Sequence, residues 1–177
     1  MEQGYIQLYT GNGKGKTTAA LGLAVRALGA GLKVYLGQFI KGMRYAEIEL
    51  LDTLLGTLGD GRIAVRQYGR GCFIFREPEA EDFQAAERGV AEARETLLSG
   101  AFDLVILDEI LVAMKLGLVH ERDILALMDD KPRGVELVLT GRGASDALMA
   151  RADLVTEMRE IKHYYNAGVQ ARDGIER

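Results

Sequence analysis

The fold is decided by the stretch Thr10-Gly11-Asn12-Gly13-Lys14-Gly15-Lys16-Thr17-Thr18, which follows a short apolar run and precedes a segment of helical period. Its glycines occupy alternate positions and let successive backbone N–H groups turn inward around an anion, in a geometry that side chains would obstruct. The helix that follows directs the positive end of its dipole toward the same place. The order of strand, glycine-rich loop and helix therefore predicts a phosphate-binding loop.

Two side chains of this loop bring their own chemistry. Lys16 adds a mobile positive charge and Thr17 offers a hydroxyl to Mg²⁺, so both are candidate catalytic residues. The pattern ordinarily begins with glycine, whereas this chain has Thr10 there. The alternative is a glycine-rich turn that binds nothing, but Lys14 and Lys16 would then repel each other with no anion between them. We expect nucleotide contacts from Gly11, Asn12, Gly13, Lys14, Gly15, Lys16, Thr17 and Thr18.

Short apolar runs alternate with longer segments of helical period along the chain. Some runs are apolar at every position, as expected for strands that helices cover on both faces. The predicted strands are 4–9, 33–40, 63–68, 103–107, 135–140 and 154–158. The predicted helices are 17–30, 45–58, 78–98, 144–152 and two within 110–128. This alternation predicts a single α/β domain over residues 1–177, with three layers and a mostly parallel sheet, and residues 166–177 as a tail or lid.

Composition narrows the classes of function. The 177 residues are 48% hydrophobic and 27% charged, which is ordinary for a globular domain. The net charge of -4 gives no general basic surface for a nucleic-acid backbone, so no nucleic-acid partner is expected. The apolar runs are shorter than a membrane span. A single cysteine cannot form an internal disulfide, which suits a reducing, cytoplasmic location.

Two acidic residues, Asp108 and Glu109, directly follow the fourth predicted strand. An acid at the carboxyl end of a buried strand beside a phosphate loop can reach the metal, directly or through water. Successive side chains of an extended chain point in opposite directions, so we expect one carboxylate to meet Mg²⁺ and the other to orient water, substrate or the Thr17 hydroxyl. The alternative is a carboxylate pair that caps the next helix.

Two arginines are candidates for neutralising phosphate charge. Arg142 follows the fifth predicted strand, and Arg26 lies on the helix after the loop. With Glu109 as a base-like residue, either arginine would suit a P-loop ATPase or small-molecule kinase that cleaves the terminal phosphate.

Five segments together resemble the ATP:corrinoid adenosyltransferases of the CobA/BtuR/CobO type. They are residues 10–22, 38–42 (Gln-Phe-Ile-Lys-Gly), 107–109, 140–143 and 161–176, which ends in Gly-Ile-Glu. The segments occur in the right order and span almost the whole chain, and the second and last are more specific than the phosphate loop. The resemblance implies a RecA-like P-loop NTPase fold, a homodimer, and a nucleotide that lies reversed in the loop.

The resemblance also implies a transferase with ATP and a reduced corrinoid as substrates. In that family cob(I)alamin, or a precursor, attacks the 5′ carbon of the ATP ribose; triphosphate leaves and a cobalt–carbon bond remains. Because cob(I)alamin is itself a strong nucleophile, the protein needs only to align the reactants and stabilise charge on the leaving group. A flavoprotein or another reductase is the implied partner that keeps the corrinoid reduced.

Position by position, the resemblance implies a triphosphate site at residues 12–18, with Arg26 and Lys41 near the nucleotide and Glu109, like Thr17, at the metal. The segment 69–75 corresponds to a corrinoid-facing loop, whose implied contacts are Gly71, Phe73 and Phe75. Several relatives carry Gly-Phe-Thr-Trp there, whereas this chain reads Gly-Cys-Phe-Ile and has no tryptophan. Ordinary packing is the alternative for these aromatic side chains.

Neither His120 nor His163 lies in the Asp-x-His-x-x-Gly pattern that usually presents histidine to cobalt. We expect this, because Co(I) favours no axial ligand. His163 is a candidate for the lining of the site or for a structural role. A further hypothesis is a nucleotide-gated switch or a corrinoid carrier without catalysis.

Overall fold

The computed structural model describes residues 1–43, 46–58, 61–71 and 77–176, with only the backbone described at 52, 54–58, 70 and 71. Phe73 and Phe75, two of the predicted corrinoid contacts, lie outside this part of the chain. The strands are β1 (Ile6–Thr10), β2 (Val34–Lys41), β3 (Ile63–Gly71), β4 (Leu104–Asp108), β5 (Glu136–Thr140) and β6 (Leu154–Glu157). The helices are α1 (Lys16–Gly29), α2 (Ala46–Leu58), α3 (Ala80–Leu98), α4 (Ile110–Lys115), α5 (Glu121–Asp130) and α6 (Asp146–Arg151).

The described strands form one six-stranded sheet in the order β3-β2-β4-β5-β1-β6. Every neighbouring pair is parallel, with Leu36 opposite Ile106 and Leu8 opposite Leu139 in the central strands. Parallel neighbours place their carboxyl ends at one edge of the sheet. The loops that follow β1, β2, β4 and β5 therefore meet at that edge.

Helices cover the sheet on both faces. On one face α1 packs its small residues Ala20, Ala24 and Ala27 close against β2, β4 and β5. The other face carries a larger buried cluster, to which α3, α4 and α5 contribute. The central strands β2 and β4 are buried at every position, because each of their faces meets a helix layer. This confirms the predicted three-layer α/β fold with a parallel sheet.

All six predicted strands and all the predicted helices occur, with bounds within a few residues. The largest strand difference is in β3, which continues to Gly71 instead of ending at residue 68. The sequence pattern also missed a 3₁₀ helix at Tyr164–Ala167, so the predicted tail of 166–177 begins inside regular structure. Short 3₁₀ turns have no apolar period from which they could be predicted.

Among the described residues, no helix is both long and apolar enough to cross a lipid bilayer.

Candidate functional site

The loop between β1 and α1 is held by the chain that follows β6. The Gly13 N–H donates to the Met158 carbonyl over 2.7 Å, and the Met158 N–H donates to the Thr10 carbonyl over 2.8 Å. A Cβ atom on Gly13 would lie 2.8 Å from backbone atoms of Met158 and Arg159. Gly11, at φ 96°, faces the same backbone. Two of the loop glycines therefore make room for a neighbouring segment, and the Gly13 amide is directed to a carbonyl and not, as predicted, toward an anion.

Lys16 is the first residue of α1 and is only 6% exposed. Its ammonium donates to the carbonyls of Gly11, over 2.7 Å, and Gly13, over 2.8 Å. Burial lowers the pKa of Lys16, and the positive charge of Arg142 acts in the same direction. The amides of the first turn of α1 have no carbonyl acceptor within the helix. Lys16 and these amides together form a positive, partly desolvated position suited to an anion.

Asp108, fully buried at the end of β4, organises the inner end of the site. Its Oδ1 accepts hydrogen bonds from the hydroxyls of Thr17, over 2.9 Å, and Thr140, over 2.7 Å. Its Oδ2 accepts from Lys41 Nζ, over 2.8 Å, and Gln38 Nε2, over 3.2 Å. A buried carboxylate is tolerated when it is paired and hydrogen-bonded in this way. The Thr17 hydroxyl thus donates to Asp108, and its oxygen accepts from Lys41 Nζ over 3.3 Å, which leaves one lone pair to face a cation.

Lys41 reaches this cluster through an irregularity in β2. The pairing with β3 shifts register between Phe39 and Lys41, and Ile40 has φ 68°. Such a bulge re-aims the side chain that follows it. The facing residue is Gly69, where a Cβ atom would lie 2.2 Å from the Ile40 carbonyl oxygen. Burial alone would lower the pKa of Lys41, but the adjacent Asp108 carboxylate holds that pKa above its ordinary value.

Glu109 follows directly in a left-handed conformation, with φ 59° and ψ 17°. Its N–H donates to the Thr140 hydroxyl over 2.9 Å. A non-glycine residue in this conformation costs free energy and is found preferentially at functional sites. The turn separates Glu109 from Asp108 and places Glu109 in the pocket lining. Burial and the neighbouring Asp108 charge raise the pKa of the Glu109 carboxyl.

These elements enclose an open cavity of about 710 Å³ at the carboxyl edge of the sheet. That volume is within the range of small-molecule sites. Its walls come from the phosphate loop, the first turns of α1 and α2, the ends of β2 and β4, and the residues near 174–176. The lining residues are Gly13, Lys14, Gly15, Lys16, Thr17, Thr18, Leu21, Lys41, Ala46, Glu47, Glu109, Val112, Arg142, His163, Gly174, Ile175 and Glu176.

Comparison with known proteins decides the family. A family model described as ATP:corrinoid adenosyltransferase BtuR/CobO/CobP matches residues 2–177. The chain belongs to this family. It is 34% identical to the corrinoid adenosyltransferase of Pseudomonas aeruginosa, over 99% of this chain and 84% of that protein. It is 35% identical to the corrinoid adenosyltransferase of Escherichia coli K12, over 99% of this chain and 86% of that protein.

A solved structure supports the fold independently. The flagellar accessory protein FlaH from Methanocaldococcus jannaschii superposes with a TM-score of 0.57 over 89% of this chain and 72% of that chain. Its sequence identity is 13%, so the likeness concerns the fold alone.

Most of the predicted nucleotide-binding residues of this adenosyltransferase family member meet in one cavity. Eight of them line it: Gly13, Lys14, Gly15, Lys16, Thr17, Thr18, Lys41 and Arg142. The predicted metal ligand Glu109 lines the same cavity. Gly11 and Asn12 line a separate, smaller cavity of about 390 Å³ together with Thr10 and Glu157. Arg26 is exposed in the last turn of α1, about 15 Å along the helix axis from Lys16, and is not in the lining of the large cavity. The predicted contact Gly71 is the last residue of β3.

Sequence reasoning missed part of the lining. Ile175 and Glu176 stand in the Gly-Ile-Glu element that carried the family resemblance, but no period or spacing placed them beside the phosphate loop. His163, by contrast, was a candidate for the lining from the sequence and does line the cavity; its Nδ1 accepts a hydrogen bond from the Tyr165 N–H over 3.0 Å. Of the two acids that follow the fourth predicted strand, Asp108 is the one that accepts a hydrogen bond from the Thr17 hydroxyl. The role of each acid could not be read from the sequence, because it depends on the left-handed turn at Glu109.

Proposed function

We propose that the protein transfers the 5′-deoxyadenosyl group of ATP to the cobalt of a reduced corrinoid and releases triphosphate. Family membership over the whole chain supports adenosyl transfer over terminal phosphate cleavage by an ATPase or a kinase. The observation that carries the proposal is the cavity at the carboxyl edge of the sheet. There Lys16, Arg142 and the amino end of α1 offer positive charge beside the hydroxyl of Thr17 and the carboxylate of Glu109.

The proposed reaction is a nucleophilic displacement at carbon. The electron pair of Co(I) forms the cobalt–carbon bond to the 5′ carbon, and the bond between that carbon and its phosphate oxygen breaks. The electron pair of the broken bond leaves with triphosphate, and cobalt is formally oxidised to Co(III). The electrons of the new bond come from the corrinoid, so the step needs no protein base. What remains for the protein is alignment of the two reactants and stabilisation of the leaving anion.

The residues of the cavity suit that task. Lys16 and the amides of the first turn of α1 would bind the leaving triphosphate, whose negative charge increases in the transition state. Arg142, exposed and in the same lining, would neutralise a further phosphate oxygen. Lys41 would act on the nucleotide indirectly, since its ammonium lies on Asp108 and within 3.3 Å of the Thr17 hydroxyl.

Magnesium fits the oxygen donors at this position. The hydroxyl of Thr17 and the carboxylate of Glu109 line one cavity. Because the Thr17 hydroxyl donates to Asp108 and accepts from Lys41, one lone pair of its oxygen remains for the ion. Mg²⁺ is usually held by one or two protein oxygens and by substrate phosphates. Among the described residues no cluster of three or more His, Cys, Asp or Glu side chains forms a metal site. Bound there, the ion would neutralise charge on the triphosphate oxygens.

The remaining assignments extend the same proposal. Gly71, Phe73 and Phe75 would face the corrinoid, because their segment, 69–75, is the counterpart of the family's corrinoid-facing loop. Arg26 would contribute near the nucleotide only if substrate or a second subunit approached it. We also propose a homodimer, a flavoprotein or other reductase as electron donor, and a cytoplasmic location, which the single cysteine supports.

An anaerobic assay with ATP, Mg²⁺ and chemically reduced cobalamin tests the reaction. We expect cobalt–carbon bond formation, followed by absorbance, together with an equal amount of triphosphate. Omission of the corrinoid should abolish release of any phosphate product. ADP formation without corrinoid would instead favour the ATPase. Binding of both ligands without turnover under strong reductant would favour a switch or a carrier.

A further inference from the structure

The ammonium of Lys14, at the tip of the phosphate loop, is directed away from the loop. Its three hydrogen-bond contacts are the carbonyl of Ile175 at 2.9 Å, the carboxylate of Glu176 at 3.2 Å and the hydroxyl of Tyr164 at 3.4 Å. A lysine has three N–H donors. All three therefore have an acceptor on residues 164–176. This differs from Lys16, whose contacts are carbonyls of the loop itself.

Glu176 forms the other half of this connection. Its carboxylate accepts hydrogen bonds from Lys14, from the Tyr164 hydroxyl, and from the Arg172 N–H and guanidinium at 2.9 to 3.3 Å. The Arg172 guanidinium also lies 5.1 Å from the centre of the Tyr164 ring. One negative and two positive charges give this cluster a net positive charge. A triphosphate in the adjacent cavity would therefore meet a favourable field, although a carboxylate lies nearby.

The tethered segment also supplies a wall of the cavity. His163, Gly174, Ile175 and Glu176 line the same space as Lys16 and Thr17. Outside the contacts with Lys14, most of this segment is exposed, and Ile175 is 56% exposed. The link to the phosphate loop is therefore what positions this wall.

We propose that Lys14 and Glu176 are positioning residues that tether residues 163–176 across the phosphate loop and so complete the nucleotide pocket. The inference rests on the proposed function in one respect, namely that the cavity binds ATP. It assigns Lys14 to the wall of the pocket instead of to a phosphate oxygen. The two assignments predict opposite effects for Glu176→Gln. Removal of a tether weakens ATP binding, whereas removal of a carboxylate that competes for a phosphate-binding lysine strengthens it.

Limited trypsin digestion of the full chain without ATP tests the tether itself. Lys162 and Arg172 provide cleavage sites in and next to the segment. We expect Lys14→Met and Glu176→Gln each to increase cleavage at these sites about threefold, as for loss of an exposed ion pair. The increase in cleavage rate in the double variant should be smaller than the product of the two single increases, because both substitutions remove the same link. Lys14→Arg should restore part of the protection. Lys33→Met and Glu95→Gln, at exposed positions away from the cavity, serve as matched controls.

Calorimetry with Mg-ATP and steady-state kinetics test the wall. Both variants should weaken ATP binding about threefold and raise KM with little change in kcat, the signature of lost uniform binding. Tighter ATP binding by Glu176→Gln would overturn the proposal, and so would independent, fully multiplicative effects of the two substitutions. If the variants release the segment without any change in ATP binding, the segment is not a wall of the ATP pocket and that part of the proposal is overturned. Absence of ATP binding by the wild-type protein would refute the proposed function and the wall together, while the digestion would still report on the tether.

Discussion

The inner and outer ends of the cavity both carry a lysine–carboxylate pair, in opposite environments. At the inner end the side chains of Lys41 and Asp108 are 10% and 0% exposed. At the outer end those of Lys14 and Glu176 are 42% and 15% exposed. The inner carboxylate is fixed by two strands and a helix through hydroxyls, an amide and an ammonium. The outer carboxylate is held by side chains of the loop and of its own segment.

This difference indicates two kinds of work. Because buried charges are expensive to desolvate, the inner ion pair is stable only when all its hydrogen-bond partners are in place. Such a rigid cluster can hold the Thr17 side chain in one orientation. The exposed pair is screened by water and contributes little free energy, so it can open and close without loss of the fold. Substitutions at the inner end should therefore change catalysis and stability strongly, and those at the outer end should change substrate affinity slightly.

The largest effect is expected at Lys16, between the two ends. Lys16→Ala removes the buried ammonium that would stabilise the leaving triphosphate, so turnover should fall on the order of 10³-fold. The measurement is triphosphate release that depends on reduced corrinoid. Lys33→Ala, at an exposed residue just before β2, is the matched control and should keep wild-type turnover. Near-normal activity of Lys16→Ala would contradict the assignment of the phosphate loop.

The next effect concerns the stability of the inner pair. Lys41→Met leaves Asp108 buried without a cation and should lower the free energy of unfolding by about 3 kcal/mol. The double variant Lys41→Met/Asp108→Asn should lose less than the sum of the single losses, because no unpaired charge remains. Urea unfolding gives these values. The exposed pair of Arg151 with Asp129 is the control, and Arg151→Met should cost less than about 1 kcal/mol.

The sequence predicted the inner end better than the outer end. The phosphate loop, Thr17 and the acids after β4 follow from local patterns, because strand, turn and helix signals act within a few residues. Strand order is not local, and it is the placement of β4 between β2 and β5 that brings Lys41, Asp108 and Thr140 together. Lys41 was predicted through a resemblance, near the nucleotide, whereas its contact with Asp108 depends on a bulge at Ile40 that no residue pattern announced.

The contacts at the outer end were not predicted, for a different reason. Residues 166–177 have no apolar period. The described part, 166–176, is positioned by hydrogen bonds and ion pairs and not by a buried face. Lys14 was predicted to contact phosphate because it stands in a glycine-rich loop, and the loop pattern cannot reveal that residues some 160 positions later lie against it. The glycines at 11 and 13 were explained only by an anion, whereas the backbone after β6 also requires them.

A smaller effect should separate the two roles of Thr17. Thr17→Val keeps the size of the side chain but removes the hydroxyl that would contact Mg²⁺ and that donates to Asp108. Turnover should fall about 10²-fold, and the remaining activity should depend less on Mg²⁺ concentration. Thr17→Ser retains the hydroxyl and should keep most of the activity. Equal Mg²⁺ dependence in Thr17→Val and the wild-type protein would place the metal elsewhere.

The smallest effect is the response of the outer pair to salt and pH. Hydrogen bonds from Arg172 and Tyr164 lower the pKa of Glu176, and for Lys14 the contacts with Glu176 and Tyr164 outweigh burial and raise its pKa. Because the Glu176 pKa is lowered, its contribution to the tether is fully present above about pH 4.3. Because the Lys14 pKa is raised, its contribution is fully present below about pH 10.4. The tether should therefore be lost only as the pH falls through the Glu176 pKa or rises through the Lys14 pKa.

We accordingly expect the ratio of tryptic cleavage rates between Glu176→Gln and the wild-type protein to be the same at about pH 7 and about pH 8.5. The ratio should approach one at about 1 M salt, where exposed charges are screened within about 3 Å. Unfolding of the wild-type protein by urea should respond much less to that salt, because the inner pair is shielded from solvent. A ratio that survived high salt would mean that the segment is held by packing, and the contrast between the two ends would then rest on burial alone.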